Sequence, residues 1–196
     1  FQPGEGWEYS MAPDVLARLV EIVTGQRYIE ALQQRIFGPL GMVDTGYVMR
    51  PEQVPRLATL YGGNLADPNE PGLTRLEDLP WPRAFLTPVA REAGASGLFT
   101  TQADMLALLS CLFPGRNGPL TDATLAEMFR DQLPAHLCVQ FLRRGPMPDL
   151  GFGLAGAVTR RTSTLQPNSP AGELQWGGMA GTHWAISPAT GEALVL

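Results

Sequence analysis

The hydrophobic period of the chain changes near Gly151. Upstream of it, apolar residues recur three and four apart in short runs: Val15, Leu16, Leu19, Val20, Ile22 and Val23 between Asp14 and Thr24, a second run from Tyr28 to Phe37, and Met105, Leu106, Leu108, Leu109 and Leu112 between Gln102 and Phe113. Such spacing gathers apolar side chains on one side of a helix. From Gly151 to Val158 the pattern alternates instead, as a strand does, and Leu174 to Gly177 and Thr182 to Ile186 follow as further strands. Ser187-Pro188-Ala189-Thr190-Gly191 reads as a hairpin turn. Helices first and a strand meander last predict an α+β chain, mainly helix and loop over residues 1–150 and strands over 151–196, with helices packed on an antiparallel sheet.

Punctuation sharpens these boundaries. Gly25 stands where the first helix would stop, and Gly38-Pro39-Leu40-Gly41 cannot continue the second. Thr101 and Thr121 are placed to cap the helices that follow them. Arg56 to Tyr61 reads as a short extended piece leading into a turn at Gly62-Gly63-Asn64. Residues 62–94 are rich in loop formers, with Pro68, Pro71, Pro80, Pro82 and Pro88 breaking any period. They read either as the wall of a substrate pocket or as a surface excursion that packs Trp81 and Phe85.

With 196 residues, 44% of them hydrophobic and 17% charged, the chain can fill one domain with a real core. No apolar run is long enough for a membrane span. The net charge of −5 and the scatter of the 14 basic residues argue against a nucleic-acid partner. Arg143-Arg144 and Arg160-Arg161 read as solvated pairs. Cys111 and Cys138 read as free thiols, and neither of the 2 histidines has ligand-spaced partners, so no metal site is expected.

The chemistry points to the opening stretch, Phe1-Gln2-Pro3-Gly4-Glu5-Gly6-Trp7-Glu8-Tyr9-Ser10-Met11, a glycine-rich loop that delivers Tyr9 to the mouth of a helix. By themselves Trp7 and Tyr9 read as aromatics packing a loop on a core. Three motifs change that: Phe-x-Pro-Gly-x-x-Trp-x-Tyr-Ser at residues 1–10, a helix ending in Val23-Thr24-Gly25, and Pro39-Leu40-Gly41-Met42-x-Asp44-Thr45. Together they resemble the serine β-lactamase-related hydrolases, which include class C β-lactamases, D,D-peptidases and family VIII carboxylesterases. The resemblance implies a β-lactamase/transpeptidase-like fold, with this chain as the C-terminal portion of a single catalytic domain. It also implies Tyr9 as general base and the strand at Trp176-Gly177-Gly178 as one wall of the site, with Met179 lending a backbone N–H to the oxyanion. Ser96, in Gly94-Ala95-Ser96-Gly97-Leu98, is similar to a site-lining loop of that family. Its register does not fit a nucleophile elbow, because Leu98 stands where the second glycine would be.

All 14 basic residues are arginine. The family's Ser-x-x-Lys, in which one helical turn brings hydroxyl and amine together, therefore cannot lie in this sequence. The resemblance places it upstream of Tyr9, and both ends of the sequence read as cut, so the expected partner is a complementary N-terminal segment carrying that motif. Met11 stands where a penicillin-processing enzyme usually has asparagine, and Trp176 where it has lysine. An apolar face and one neutral N–H suit a neutral, hydrophobic ester better than a carboxylate-bearing lactam. The resulting expectation is a carboxylesterase-type serine hydrolase acting on a small-molecule ester through an acyl-enzyme, with no cofactor. A β-lactamase or D-amino-acid peptidase is the alternative among enzymes, and a non-catalytic binding module the alternative outside them. The helices, lacking half their packing, and the unpaired strand edges predict stability only beside the complementary segment.

Overall fold

The computed structural model describes residues 1–63, 69, 71–75, 85–116, 118–141, 145–163, 166–178 and 180–196. Asn64, Trp81, Arg143, Arg144 and Met179 lie outside them. Helix α1 spans Ala12–Thr24, with Pro13 in the first turn, where a missing N–H is not needed. Gly25 closes it in the left-handed conformation at φ 68°, its N–H bonding the Glu21 carbonyl at 2.9 Å. The Glu21 carboxylate accepts from Arg18 at 2.8 Å and from the Tyr28 N–H at 3.2 Å, which ties the end of α1 to the start of α2 (Tyr28–Leu32). The helical run expected through Phe37 continues, but after Leu32 it widens into a π-helical turn over Gln33–Phe37. A last turn, α3 (Gly38–Leu40), ends at Gly41, again left-handed at φ 67°.

Two antiparallel ribbons precede the main sheet: β1 (Tyr61–Gly63) with β2 (Leu73–Arg75), and β3 (Val139–Phe141) with β4 (Gly145–Met147). The Gly62-Gly63 pair expected to turn is therefore strand. Gly62 pairs with Thr74, so its extended backbone is satisfied across the ribbon. The main sheet is a five-stranded meander of β5 (Leu150–Phe152), β6 (Ala157–Thr159), β7 (Leu174–Gly177), β8 (His183–Ser187) and β9 (Glu192–Val195). The single strand expected over 151–158 is two strands. A turn intervenes, in which the Gly153 N–H bonds the Gly156 carbonyl at 2.8 Å. A Cβ on Gly153 would lie 2.3 Å from the Met128 carbonyl oxygen, so only glycine lets this turn tuck against the segment after residue 127. The expected hairpin after Ser187 is present, closed by the Gly191 N–H on the Ser187 carbonyl at 2.9 Å.

Helices α4 (Gln102–Cys111) and α5 (Asp122–Phe129) start at their threonine caps: Thr101 Oγ1 accepts from the Asp104 N–H and Thr121 Oγ1 from the Thr124 N–H, each at 3.2 Å. They cover one face of the sheet. Val158, Leu174 and Ile186 stand in line across β6, β7 and β8 and pack with Leu109, Leu112 and Leu125. Full burial of each large aliphatic side chain contributes about 1.5–3 kcal/mol. This two-layer packing is the helix-on-antiparallel-sheet arrangement expected from the sequence. Arg160 departs from the solvated reading: its Nε donates to Asp131 at 2.6 Å and its Nη1 to the Leu137 carbonyl at 2.7 Å. Burial alone would push the Asp131 carboxyl up, but Arg160 and the N–H groups of Leu133 and Phe152 hold it below the usual range. Cys111 and Cys138 are free thiols, and burial raises the Cys111 pKa. No helix among the described residues is long and apolar enough to cross a membrane.

Helix α1 is the exception to inward packing. Asp14 and Ala17 are its buried residues, whereas Val15, Leu16, Leu19, Ile22 and Val23 are exposed, Val23 at 76%. Its apolar stripe faces outward.

The Asp44-Thr45 pair is a structural joint. Asp44 accepts both guanidinium nitrogens of Arg56, at 2.8 and 2.6 Å, and Gln53 Nε2 at 2.9 Å. Its own N–H and the Thr45 hydroxyl both donate to Asp104 Oδ2 at 2.8 Å, fastening the loop to the first turn of α4. The Arg56 hydrogen bonds, then Gln53, hold the Asp44 carboxyl well below the usual carboxylate range. A depressed folded-state pKa contributes stability that is present above the unfolded value of about 3.9 and is lost as pH falls below it. Asp44→Asn is therefore expected to lower the urea midpoint of the complete protein at pH 7, with the gap to wild type narrowing by pH 3. A gap of constant size across that range would contradict the assignment.

Candidate active site

The approach loop has no regular secondary structure, so side chains elsewhere fix it. Gly4, at φ 89°, takes a conformation that a side chain would strain. Its carbonyl meets His136 Nε2 at 3.2 Å, and the Trp7 carbonyl accepts from Gln140 Nε2 at 2.7 Å. These two bonds hang the loop on β3 and the segment before it. The Trp7 ring then lies 5.3 Å from that of Phe152 and 6.4 Å, edge-on, from that of Phe141. Beneath them, Val139, Leu150 and Ala157 form a small buried cluster.

This platform brings Tyr9 to Trp176. The Tyr9 ring is 5.7 Å from the Trp176 ring and 5.8 Å from the Phe141 ring, and Phe141 and Trp176 are 5.8 Å apart. Phe152 meets Trp176 edge-on at 5.3 Å. Tyr9 remains 56% exposed, so the phenol lies on an aromatic floor while open to an incoming group.

Trp176 and Gly177 end β7, opposite Trp184 and His183 of β8. The Gly178 N–H bonds the Thr182 carbonyl at 2.8 Å, and the Gly181 N–H bonds the Gly178 carbonyl at 3.0 Å, forming the connection to β8. A Cβ on Gly178 would sit 2.5 Å from Thr182 Oγ1 and one on Gly177 3.0 Å from the Thr182 carbonyl oxygen. The turn itself therefore requires small residues here. Met179 lies outside the described residues.

Ser96 and Met11 are placed differently. Ser96 is exposed on a loop sewn down on both sides. Buried Glu92 accepts from the Ile29 N–H at 2.8 Å and pairs with Arg27, and Tyr47 Oη donates to the Ala93 carbonyl. Burial, foremost, pushes the Tyr47 hydroxyl pKa up. Buried Asp14 accepts from the Ala95 N–H at 2.8 Å and from Arg91 at 3.2 Å. Thr101, not Ser96, supplies the helix cap. Met11 lines an open depression of about 490 Å³ on the outer side of α1, with Val15, Leu19, Ile22 and Arg91. Tyr9 and Trp176 are not among its lining residues. Phe85, within the proline-rich stretch, meets Phe99 edge-on at 5.7 Å. Among the described residues no group of three His, Cys, Asp or Glu side chains is placed to hold a metal ion.

Phe141 and Phe152 escaped the sequence reading, because a lone aromatic in a three-residue strand carries no motif. The only available signal was the alternation Val139-Gln140-Phe141, which puts Val139 in the core and Gln140 toward the Trp7 carbonyl.

The chain belongs to the Beta-lactamase family, whose profile matches residues 1–196. It is 31% identical over 210 residues to esterase EstB of Burkholderia gladioli, covering 100% of this chain and 50% of that protein. It is 30% identical over 203 residues to lovastatin esterase of Penicillium rubens, covering 95% and 48%. Among solved structures, EstCE1, a hydrolase with promiscuous acyltransferase activity, superimposes with a TM-score of 0.79 at 30% identity, over all of this chain and 51% of that one. The chain thus spans about half the length of these relatives.

The loop bearing Ser96 meets α1 without a side chain between them: a Cβ on Gly94 would lie 2.0 Å from the Pro13 carbonyl oxygen. Gly94→Ala is expected to destabilise the complete protein by about 1–3 kcal/mol in a urea melt, because backbone must move. Gly63→Ala, whose Cβ would meet nothing within 4 Å, is expected to cost less than half as much. Equal costs would show that the close approach at Gly94 is not a constraint.

Proposed function

We propose that this chain supplies the proton-handling half of a carboxylic-ester hydrolase, and that a complementary segment bearing Ser-x-x-Lys supplies the nucleophile. The observation that carries the reading is the ring contact between Tyr9 and Trp176, which joins the two stretches expected to face one reacting carbon. The esterase names of the relatives support it. The outward apolar stripe of α1 supports the complementary segment, because an exposed stripe of this kind calls for a partner surface.

In this mechanism the serine hydroxyl attacks the ester carbonyl carbon while its proton passes to the Tyr9 oxygen. An unassisted phenol, with a pKa near ~10, is a weak base near neutrality, so the lysine ammonium of Ser-x-x-Lys must stabilise phenolate. The tetrahedral oxyanion is held by backbone N–H groups, that of Met179 and that of the serine. As the C–O bond to the alcohol breaks, Tyr9 returns the proton to the leaving oxygen. Water then attacks the acyl-enzyme, giving the acid and free serine. Among the described residues, the rings of Tyr9, Phe141 and Phe152 pack on Trp176. An apolar wall of this kind favours neutral esters over the carboxylate of a β-lactam.

Tyr9→Phe removes the oxygen and keeps the ring contacts. In the complete protein it is expected to lower kcat for p-nitrophenyl butyrate by about 10²- to 10⁴-fold with an unchanged melting temperature. Near-normal turnover, or a wild type that hydrolyses nitrocefin faster than the ester, would overturn the assignment.

A further inference from the structure

The three rings of Tyr9, Phe141 and Trp176 touch one another, each pair at 5.7 to 5.8 Å. Two of them belong to the chemistry already described. Phe141 does not, although its strand is firmly held. Val139, two residues earlier on β3, is fully buried, and Gln140 donates to the Trp7 carbonyl at 2.7 Å. Val139 is the buried core residue at this end of β3; Phe141 packs against the same cluster but stays half-buried, its ring beside exposed Tyr9. Preformed, partly open aromatic surface is what ligand sites are built from.

The direction of proton transfer says which part of a substrate lies there. The group that takes the proton from the nucleophile gives it to the departing oxygen, so that oxygen must come within hydrogen-bond reach of Tyr9 Oη. Whatever is bonded to that oxygen lies next to the rings that flank Tyr9.

We propose that Phe141 is a specificity-determining residue, forming with Trp176 an aromatic surface beside Tyr9 against which the alcohol portion of the ester lies, favouring a flat or bulky apolar alcohol. The assignment rests on the hydrolase reading of the same site. It distinguishes the alcohol from the acyl group, which that reading leaves open. A ring of the alcohol against Phe141 and Trp176 gains offset or edge contacts that a methyl group cannot make.

The test compares hydrolysis of benzyl acetate and methyl acetate by the complete protein, wild type and Phe141→Ala, with melting curves to confirm folding. Phe141→Ala also removes a ring contact of Tyr9, so both esters lose activity, but kcat/KM is expected to fall about 10-fold further for benzyl acetate than for methyl acetate. Phe141→Leu, which keeps apolar volume without the ring, falls between and guards against a folding defect in the alanine variant. Equal losses on both esters would overturn the proposal and leave Phe141 as support for Tyr9. A loss that follows acyl length, seen between methyl acetate and methyl hexanoate, would also overturn it.

A readout without turnover separates this proposal from the hydrolase reading. Benzyl alcohol is expected to quench tryptophan fluorescence, with a Kd about 10-fold weaker in Phe141→Ala. If neither ester is hydrolysed but this difference persists, the aromatic binding surface stands and the hydrolase reading falls. If benzyl alcohol does not bind, or binds both proteins equally, the binding surface falls whatever the esters do.

Discussion

The contact between the Tyr9 and Trp176 rings joins the start of the chain to its C-terminal sheet, and the local architecture serves to make it. A glycine-rich loop has many conformations to lose, and nothing in its own backbone chooses among them. Selection comes from β3 and the segment before it, through the bonds of Gln140 and His136 to loop carbonyls, and from the edge and offset contacts of Trp7, Phe141 and Phe152. Each such aromatic pair adds about 0.5–1.5 kcal/mol beyond the area it buries. Several together hold the tyrosine at one place on the rim of the sheet while leaving it exposed. The sheet end, in turn, is tight at Gly178, where a Cβ would meet the Thr182 hydroxyl at 2.5 Å and force that side chain to move.

Buried carboxylates perform the same service on the helical side. Asp14, Glu92 and Asp104 are each at most 7% exposed, and each accepts from groups on a different element. A buried charge is tolerable only when hydrogen-bonded, so these side chains bind together the segments that satisfy them. Asp14 and Glu92 fix the loop bearing Ser96 against α1 and α2, and Asp104 fixes the Asp44-Thr45 turn against α4. Tyr9 therefore approaches α1 on a loop, while α1 itself is locked to its neighbours through Asp14 in its first turn.

Much of this was legible in the sequence, for identifiable reasons. Helix ends at Gly25 and Gly41 and the caps at Thr101 and Thr121 are local signals, and the structure follows them. Tyr9 and Trp176 stood out through motif and resemblance, not through any pattern that would pair them. Phe141 carried neither signal, and its role depends on a register between β3 and the approach loop that sequence spacing does not encode. The strand read over 151–158 failed because alternation runs unbroken through a glycine turn whose cause, the Met128 carbonyl, lies on another element. Asp14 and Asp104 carry no sequence signal of burial, because the N–H groups they accept from, Ala95 and Asp44, lie on other elements. Arg160 looked solvated because its partner, Asp131, is distant in sequence. The apolar stripe of α1 was read correctly as a helical period, but periodicity does not say on which side the covering surface lies.

On the proposed mechanism this chain holds the base and one wall of the site, and the nucleophile lies in Ser-x-x-Lys on a complementary segment. Labelling the complete protein with a fluorophosphonate and mapping the modified peptide tests it most directly. The account predicts one adduct, on the serine of a Ser-x-x-Lys outside residues 1–196. An adduct on a serine of this chain, Ser96 included, or no labelling of a folded and complete protein, would contradict it.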